Sequence, residues 1–187
     1  QVFSKGVDEN PLNSDANLFD ANGNYMLDSY TGSEGVTSFL LAEGVYSVSV
    51  CEDTCVVLDS LVVSSDITTT ATARFGLLQV TVTGADGALL NADVNLFDAN
   101  GNYLLDRDTG SDGVTSFSLA EGTYGISVCE DNCTSIQDVD VSAGSTSEVH
   151  PEFGLILAVH FLTSGDVDVN LFDASGNYML DRDTGSD

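Results

Sequence analysis

Tryptophan is missing from this sequence of 187 residues, and lysine and arginine together number 4. So few cations exclude a nucleic-acid interface, where Lys and Arg must neutralise phosphates. The 30 Asp and Glu set against them give a formal net charge of −26, which repels anionic membranes as well. Runs of about 18 or more apolar residues are also missing, so no stretch reads as a transmembrane helix. Without Trp and without long loops there is little to wall a substrate cleft, and the carboxylates do not read as a glycosidase pair. His150 and His160 sit near one repeat junction, and no nucleophile with an orienting acid recurs beside them. The expectation is a protein that is not an enzyme.

What is present is β-forming. Hydrophobic residues make up 42%, enough to build a core. The polar remainder is mostly Asp, Asn, Ser, Thr and Gly, which with many Val and Thr reads as strands and turns. The chain is organised around Asn95 to Tyr103, Asn-Leu-Phe-Asp-Ala-Asn-Gly-Asn-Tyr. The same run occurs at Asn17 to Tyr25, and again at Asn170 to Tyr178 with Ser175 for one Asn. The copies are offset by 78 and 75 residues (95 − 17 and 170 − 95). A fixed period marks an array of like domains.

Three segments follow: residues 1–74, a first unit; 75–152, a complete second unit; and 153–187, part of a third. Gln1 aligns with Gln79 and Asp187 with Asp112, so both ends fall inside a unit, as in a stretch of a longer tandem array. The third unit is shorter around Leu162 to Asp166, where a loop tip tolerates deletion. Phe75-Gly76-Leu77-Leu78 and Phe153-Gly154-Leu155-Ile156 pass from unit to unit with no Ser/Gly-rich or Pro-rich spacer. Such junctions predict units packed end to end as a stiff rod, with Phe75, Leu77, Phe153 and Leu155 docking neighbours.

In the second unit, Leu77 to Thr83 alternates apolar and polar, as does Asp93 to Leu96. Asn100-Gly101 predicts a type I′ hairpin turn, and Tyr103 to Asp108 its returning strand. Thr115, Phe117 and Leu119 share a strand face, as do Tyr124, Ile126 and Val128. Ile136, Val139 and Val141 supply another strand, and Thr146 to Val149 a last one. About seven short strands with frequent turns are the sandwich signature. The predicted fold class is all-β, tandem Ig-like or prealbumin-like β-sandwich repeats of about 75–78 residues.

The run Val94-Asn95-Leu96-Phe97-Asp98, the turn Thr109-Gly110-Ser111-Asp112-Gly113, then Phe117 and Leu119-Ala120-Glu121-Gly122-Thr123-Tyr124 carry a resemblance. The pattern resembles Cna-B-like, SdrD-B-like and carboxypeptidase-regulatory-like modules, which are prealbumin-like sandwiches. Its motifs are turns and core positions, and specify fold better than function. The resemblance implies stalks of surface adhesins, pili or secreted filaments. Two departures limit it. Many Cna-B modules carry a Lys–Asn isopeptide bond, but Lys5 is the sole lysine here and the second unit has none. The acidic segment that usually opens a calcium-binding SdrD-B module is not recognisable.

Cys51 and Cys55, and Cys129 and Cys133, recur at one place in each unit, between two strands. This spacing predicts the within-pair disulfides Cys51–Cys55 and Cys129–Cys133, and with them an oxidising, extracellular setting. Zinc would need four ligands where each unit offers two thiolates. Redox catalysis would need a helix to lower a thiol pKa. So small a loop stabilises by about 2 kcal/mol, and the expected use is to pin an exposed tip against proteolysis. Asp98, Asn100, Asn102, Asp106, Asp108 and Asp112 form the densest set of oxygen ligands and are the candidate Ca²⁺ site. Asp20, Asn22, Asn24 and Asp28, and Asp173, Asn177, Asp181, Asp183 and Asp187, repeat much of it. The spacing resembles the start of an EF-hand, but Gly101 comes too early and no closing Glu follows. Turn support by Asp and Asn side chains competes with the metal reading. Asn132-Cys133-Thr134 is a glycosylation sequon with no counterpart at Thr54-Cys55-Val56.

These features predict a structural repeat of an extracellular or cell-surface filament, stalk or adhesin shaft. Its partners would be copies of itself, met by inter-chain strand pairing or end-to-end packing, with no nucleic acid and no membrane insertion. Two alternatives stand beside it: a Ca²⁺-dependent module binding carbohydrate or a protein on a host or cell surface, and an accessory region of a large secreted enzyme.

Overall fold

The computed structural model describes residues 1–155, 168–173 and 175–183. The first unit contributes β1 (Val2–Lys5), β2 (Asp15–Phe19), β3 (Tyr25–Tyr30), β4 (Val36–Thr37), β5 (Gly44–Cys51), β6 (Cys55–Val63) and β7 (Ala71–Arg74). The second contributes β8 (Gly76–Thr81), β9 (Thr83–Gly84), β10 (Asp93–Asp98), β11 (Tyr103–Asp108), β12 (Val114–Leu119) and β13 (Gly122–Cys129). It closes with β14 (Cys133–Val141), β15 (Thr146–Val149) and β16 (Glu152–Phe153). In the third, β17 (Asp168–Phe172) and β18 (Tyr178–Asp183) form a hairpin.

Each of the first two units is two sheets face to face. In the first the orders are β4-β1-β7 and β3-β2-β5-β6; in the second, β12-β8-β15 and β11-β10-β13-β14. The short β9–β16 ladder prolongs β8 and β15 beyond a break at Pro151. Pro151 has no N–H for the ladder, whereas Ala73 of the first unit keeps β7 continuous with β1. An immunoglobulin constant domain places its first strand beside its second. Here the first strand lies between the fourth and the seventh, antiparallel to one and parallel to the other. Of the two sandwich types the sequence suggests, the strand order departs from the immunoglobulin one.

Alternation along the strands builds the cores. Val80, Val94, Leu96, Phe117, Leu119, Ile126 and Val128 are fully buried in the second unit, and Leu18, Val48 and Val50 in the first. In the second unit β12 runs antiparallel to β8, pairing Phe117 with Leu78 and Leu119 with Gly76. In the first unit a cavity of ≈ 460 Å³ opens beside Phe39 and Leu41.

Three family-like motifs acquire physical reasons. Thr109 accepts a hydrogen bond from Ala92 N (2.9 Å) and donates to Leu90 O (2.7 Å), tying two loops together; Thr31 does the same in the first unit. Gly113 takes φ +64°, and a Cβ there would meet Leu89 Cβ at 2.8 Å. Tyr124 donates its hydroxyl to Ala120 O at 2.9 Å across the turn it follows, as Tyr46 does to Ala42 O at 3.1 Å.

Two expectations are corrected. The Asn-Gly hairpin is not type I′, which requires positive φ at both turn residues. Gly101 has φ +80°, but Asn100 is not among the residues with positive φ. Gly101 N donates to Asp98 O (3.0 Å) and Asp98 N to Asn102 O (2.9 Å), a three-residue loop with a left-handed glycine. The Asp98 carboxylate selects it by accepting from both Asn100 N and Asn102 N, at 2.8 Å each. The second concerns the junction aromatics. Phe75 is fully buried in the first core and Phe153 packs on the second, so each junction aromatic closes the unit before it. The Phe75 side chain therefore sits in the first core rather than docking onto the second unit. Leu155 is 76% exposed. The shortened loop at Leu162–Asp166 lies outside the described residues.

Candidate functional site

A dense polar arrangement lies between the first two units. It begins with the hairpin joining β5 to β6. Cys51 and Cys55 face each other across that ladder and are joined by a disulfide. Between them, Glu52 N donates to Thr54 O at 3.0 Å, which leaves Asp53 and Thr54 projecting from the tip. Glu52 holds the tip from behind: Ser14 donates its hydroxyl to Glu52 Oε1 at 2.5 Å, and Ser14 is itself bonded to the buried Ser4.

The receiving surface is the edge of the second unit. β12 is an outer strand of its sheet, so the N–H and C=O groups on one of its sides have no strand partner. The tip supplies partners. Asp53 N donates to Ser118 O at 3.2 Å, and Ser118 N returns a bond to Asp53 Oδ2 at 2.7 Å. Ala120 N donates to Thr54 Oγ1 at 2.7 Å. Arg107 on β11 grips the Asp53 carboxylate with both arms, Nη2 to Oδ1 at 2.6 Å and Nη1 to Oδ2 at 3.0 Å. The same Nη1 donates to Ser116 O at 2.6 Å, and the guanidinium lies 5.2 Å from the Phe117 ring centroid. A planar, two-armed donor suits a carboxylate in this way, and a lysine would not.

The units are thus attached at two points. One is the chain itself, where Leu77 N donates to Ser145 O and Gly144 N to Phe75 O. Gly76 sits in this crossing, and a Cβ there would stand 2.4 Å from Ser142 O. The other is the disulfide tip. A cleft of ≈ 420 Å³ separates them, lined from the first unit by Cys55, Val57 and Arg74 and from the second by Ala120, Glu121 and Ala143.

The sequence did not disclose this joint, but it holds a signal. Of the three arginines, Arg107 and Arg182 occupy one repeat position, and Asp53 and Asp131 share another. Asp131 also has a partner in the structure. The first unit carries Ser29 at the arginine position, bonded to Thr37 at 2.8 Å.

The candidate Ca²⁺ residues are placed in four separate roles. Asp98, Asn100 and Asn102 share the hairpin turn, with Asn102 Nδ2 also donating to Asp98 at 2.8 Å. Asp106 accepts the hydroxyl of Tyr103, and Asp108 faces Asp93 across the β10–β11 ladder. Asp112 accepts from Val114 N at 3.3 Å in a different turn. Among the described residues, no three His, Cys, Asp or Glu gather as a metal site. The turn at Asp98 recurs at Asp20 and Asp173. Bonds from Asn102 side chain and backbone hold the Asp98 carboxyl below its ordinary value of 3.8; Asn24 does this for Asp20 and Asn177 for Asp173. The bond to Asp106 raises the Tyr103 hydroxyl above 10.0. Asp187 and His160 lie outside the described residues.

Cys129 and Cys133 are also joined by a disulfide. Asn132 of the sequon is exposed and accepts from Cys133 N at 2.7 Å. His150 is exposed, with Nε2 3.6 Å from Glu148. No helix among the described residues is long and apolar enough to cross a membrane.

No protein-family model matches the chain, and no curated protein does. Solved structures to which the chain is similar include the Bacillus anthracis TIE protein, at 16% identity and a TM-score of 0.36 over 81% of this chain and 33% of that one. The backbone protein of group B streptococcus pilus 2b gives 13% and 0.35 over 76% and 78%. A C-terminal fragment of the pilus adhesin SpaC from Lactobacillus rhamnosus GG gives 13% and 0.36 over 86% and 98%.

Proposed function

We propose that this chain is a non-catalytic structural segment of an extracellular filament or stalk, whose work is to hold successive sandwiches at a fixed spacing and angle. The observation that carries the reading is the Asp53–Arg107 joint. A single covalent crossing leaves two domains free to twist about it. A second attachment, fastened to a strand edge by backbone bonds and a two-armed ion pair, removes that freedom. Two further features support it: disulfides suit an oxidising compartment, and covering the β12 edge hides a row of groups that would otherwise recruit stray strands.

The filament would consist of copies of this chain, and a dense negative surface would keep its shafts soluble and apart. Electron microscopy of material captured from the native source with an antibody to the chain tests the reading. Regular shafts with an axial repeat of one sandwich are expected. Finding the antigen on isolated, compact particles would overturn it.

A further inference from the structure

We propose that the Cys51–Cys55 disulfide is a thiol-operated latch on this joint, a regulation that rests on the joint reading above. Every bond the first unit's tip makes to the second comes from Asp53 and Thr54, the two residues just inside the closing cysteine. Both must present a side chain and, for Asp53, a backbone N–H in one orientation. The disulfide closes the loop directly beneath them. An open tip would have to be ordered again before each docking, and the ion pair alone gives little to offset that.

The bond is separate from the fold. Neither cysteine belongs to the first core, which is built on Leu18, Val48, Val50 and Phe75. Cutting it is therefore felt at the tip rather than in the sandwich. It is also within reach: Cys55 is exposed and opens onto the ≈ 420 Å³ cleft between the units. A small dithiol entering there attacks one sulfur as its thiolate, and the S–S bond breaks to a mixed disulfide and a free cysteine thiolate. The reductant's second thiol then displaces the other cysteine. Two electrons and two protons pass to the protein, leaving two thiols and one oxidised reductant.

The latch is tested by ¹⁵N relaxation on the 187-residue protein, which reads whether the first two units tumble together. The oxidised protein is expected to show one shared rotational correlation time. Replacing both cysteines, Cys51→Ser with Cys55→Ser, leaves Cys129–Cys133 in place. In that variant, and after dithiothreitol, the shared time is expected to be lost while first-unit amides keep their dispersed shifts. Asp53→Ala combined with Thr54→Ala and Arg107→Ala in the oxidised state, which removes the tip's side-chain bonds to the second unit, supplies the second arm. If it leaves the units coupled, the joint itself is refuted and the latch with it. If it uncouples them but the serine pair does not, the joint stands and the latch falls. Collapse of first-unit dispersion in the serine pair would make the bond a folding staple and also overturn the latch.

Discussion

Asp53 is only 15% exposed as a side chain, whereas its partner Arg107 is 43% exposed, and the pair is unequal in what each would lose. An exposed ion pair contributes little, but hydrogen bonds to a charged group with two fixed arms contribute more. A double-mutant cycle with Asp53→Ala and Arg107→Ala, read by chemical denaturation, is expected to give a coupling of about 1–2 kcal/mol. Arg107→Lys should recover less than half of it, because one ammonium cannot span both carboxylate oxygens. Asp98 acts within its own turn. Its folded pKa lies below 3.8, so the stability it contributes is present above that value and is lost as pH falls through the lower folded value. Carboxyl NMR titration should place Asp98 below an ordinary aspartate, and amide exchange at Asn102 should quicken in that acid window. Asp98→Asn should flatten that pH response.

At the scale of elements, the turn and strand chemistry was largely legible. The alternation of Val94 and Leu96, or Phe117 and Leu119, assigns strand and face together because side chains on a strand have period two. What misled was Asn-Gly, where a side chain two residues upstream outvoted the dipeptide's own preference. Gly76 is the element-scale residue that nothing local explains. Its lack of Cβ answers to Val141 and Ser142, at the far end of the second unit. Gly76→Ala is expected to cost about 1–3 kcal/mol by forcing the backbones apart, seen as a lower melting temperature. An unchanged melting temperature would show that the crossing relaxes freely.

For the whole molecule, the balance lies between a net charge of −26, which pushes units apart, and the two attachments that hold them. Salt screens the repulsion between exposed charges and leaves short, partly buried bonds less affected. A flexible pair of acidic domains would contract as salt rises. The jointed pair is expected to keep its largest dimension in small-angle scattering from low to high ionic strength. Arg107→Glu should make that dimension salt-dependent, since it places like charge against Asp53. The candidate calcium residues predict a parallel result: with their oxygens spread over separate turns and edges, added Ca²⁺ should shift melting no more than Mg²⁺ at equal ionic strength.

By itself the sequence determined the repeat, the strands, their buried faces and the cysteine-closed tips. Each of these is written in local spacing, in period two along a strand or in a motif recurring after 78 residues (95 − 17). Only the tertiary structure decided what the tips touch. Asp53 and Arg107 are 54 residues apart, on different units, and no periodicity links a loop to the edge of the next domain. It also decided that the junction aromatics fill their own cores. A large apolar side chain takes the nearest cavity that excludes water, and for Phe75 that cavity lies behind it in the chain. What remains for the joint is polar, directional and closed by a disulfide.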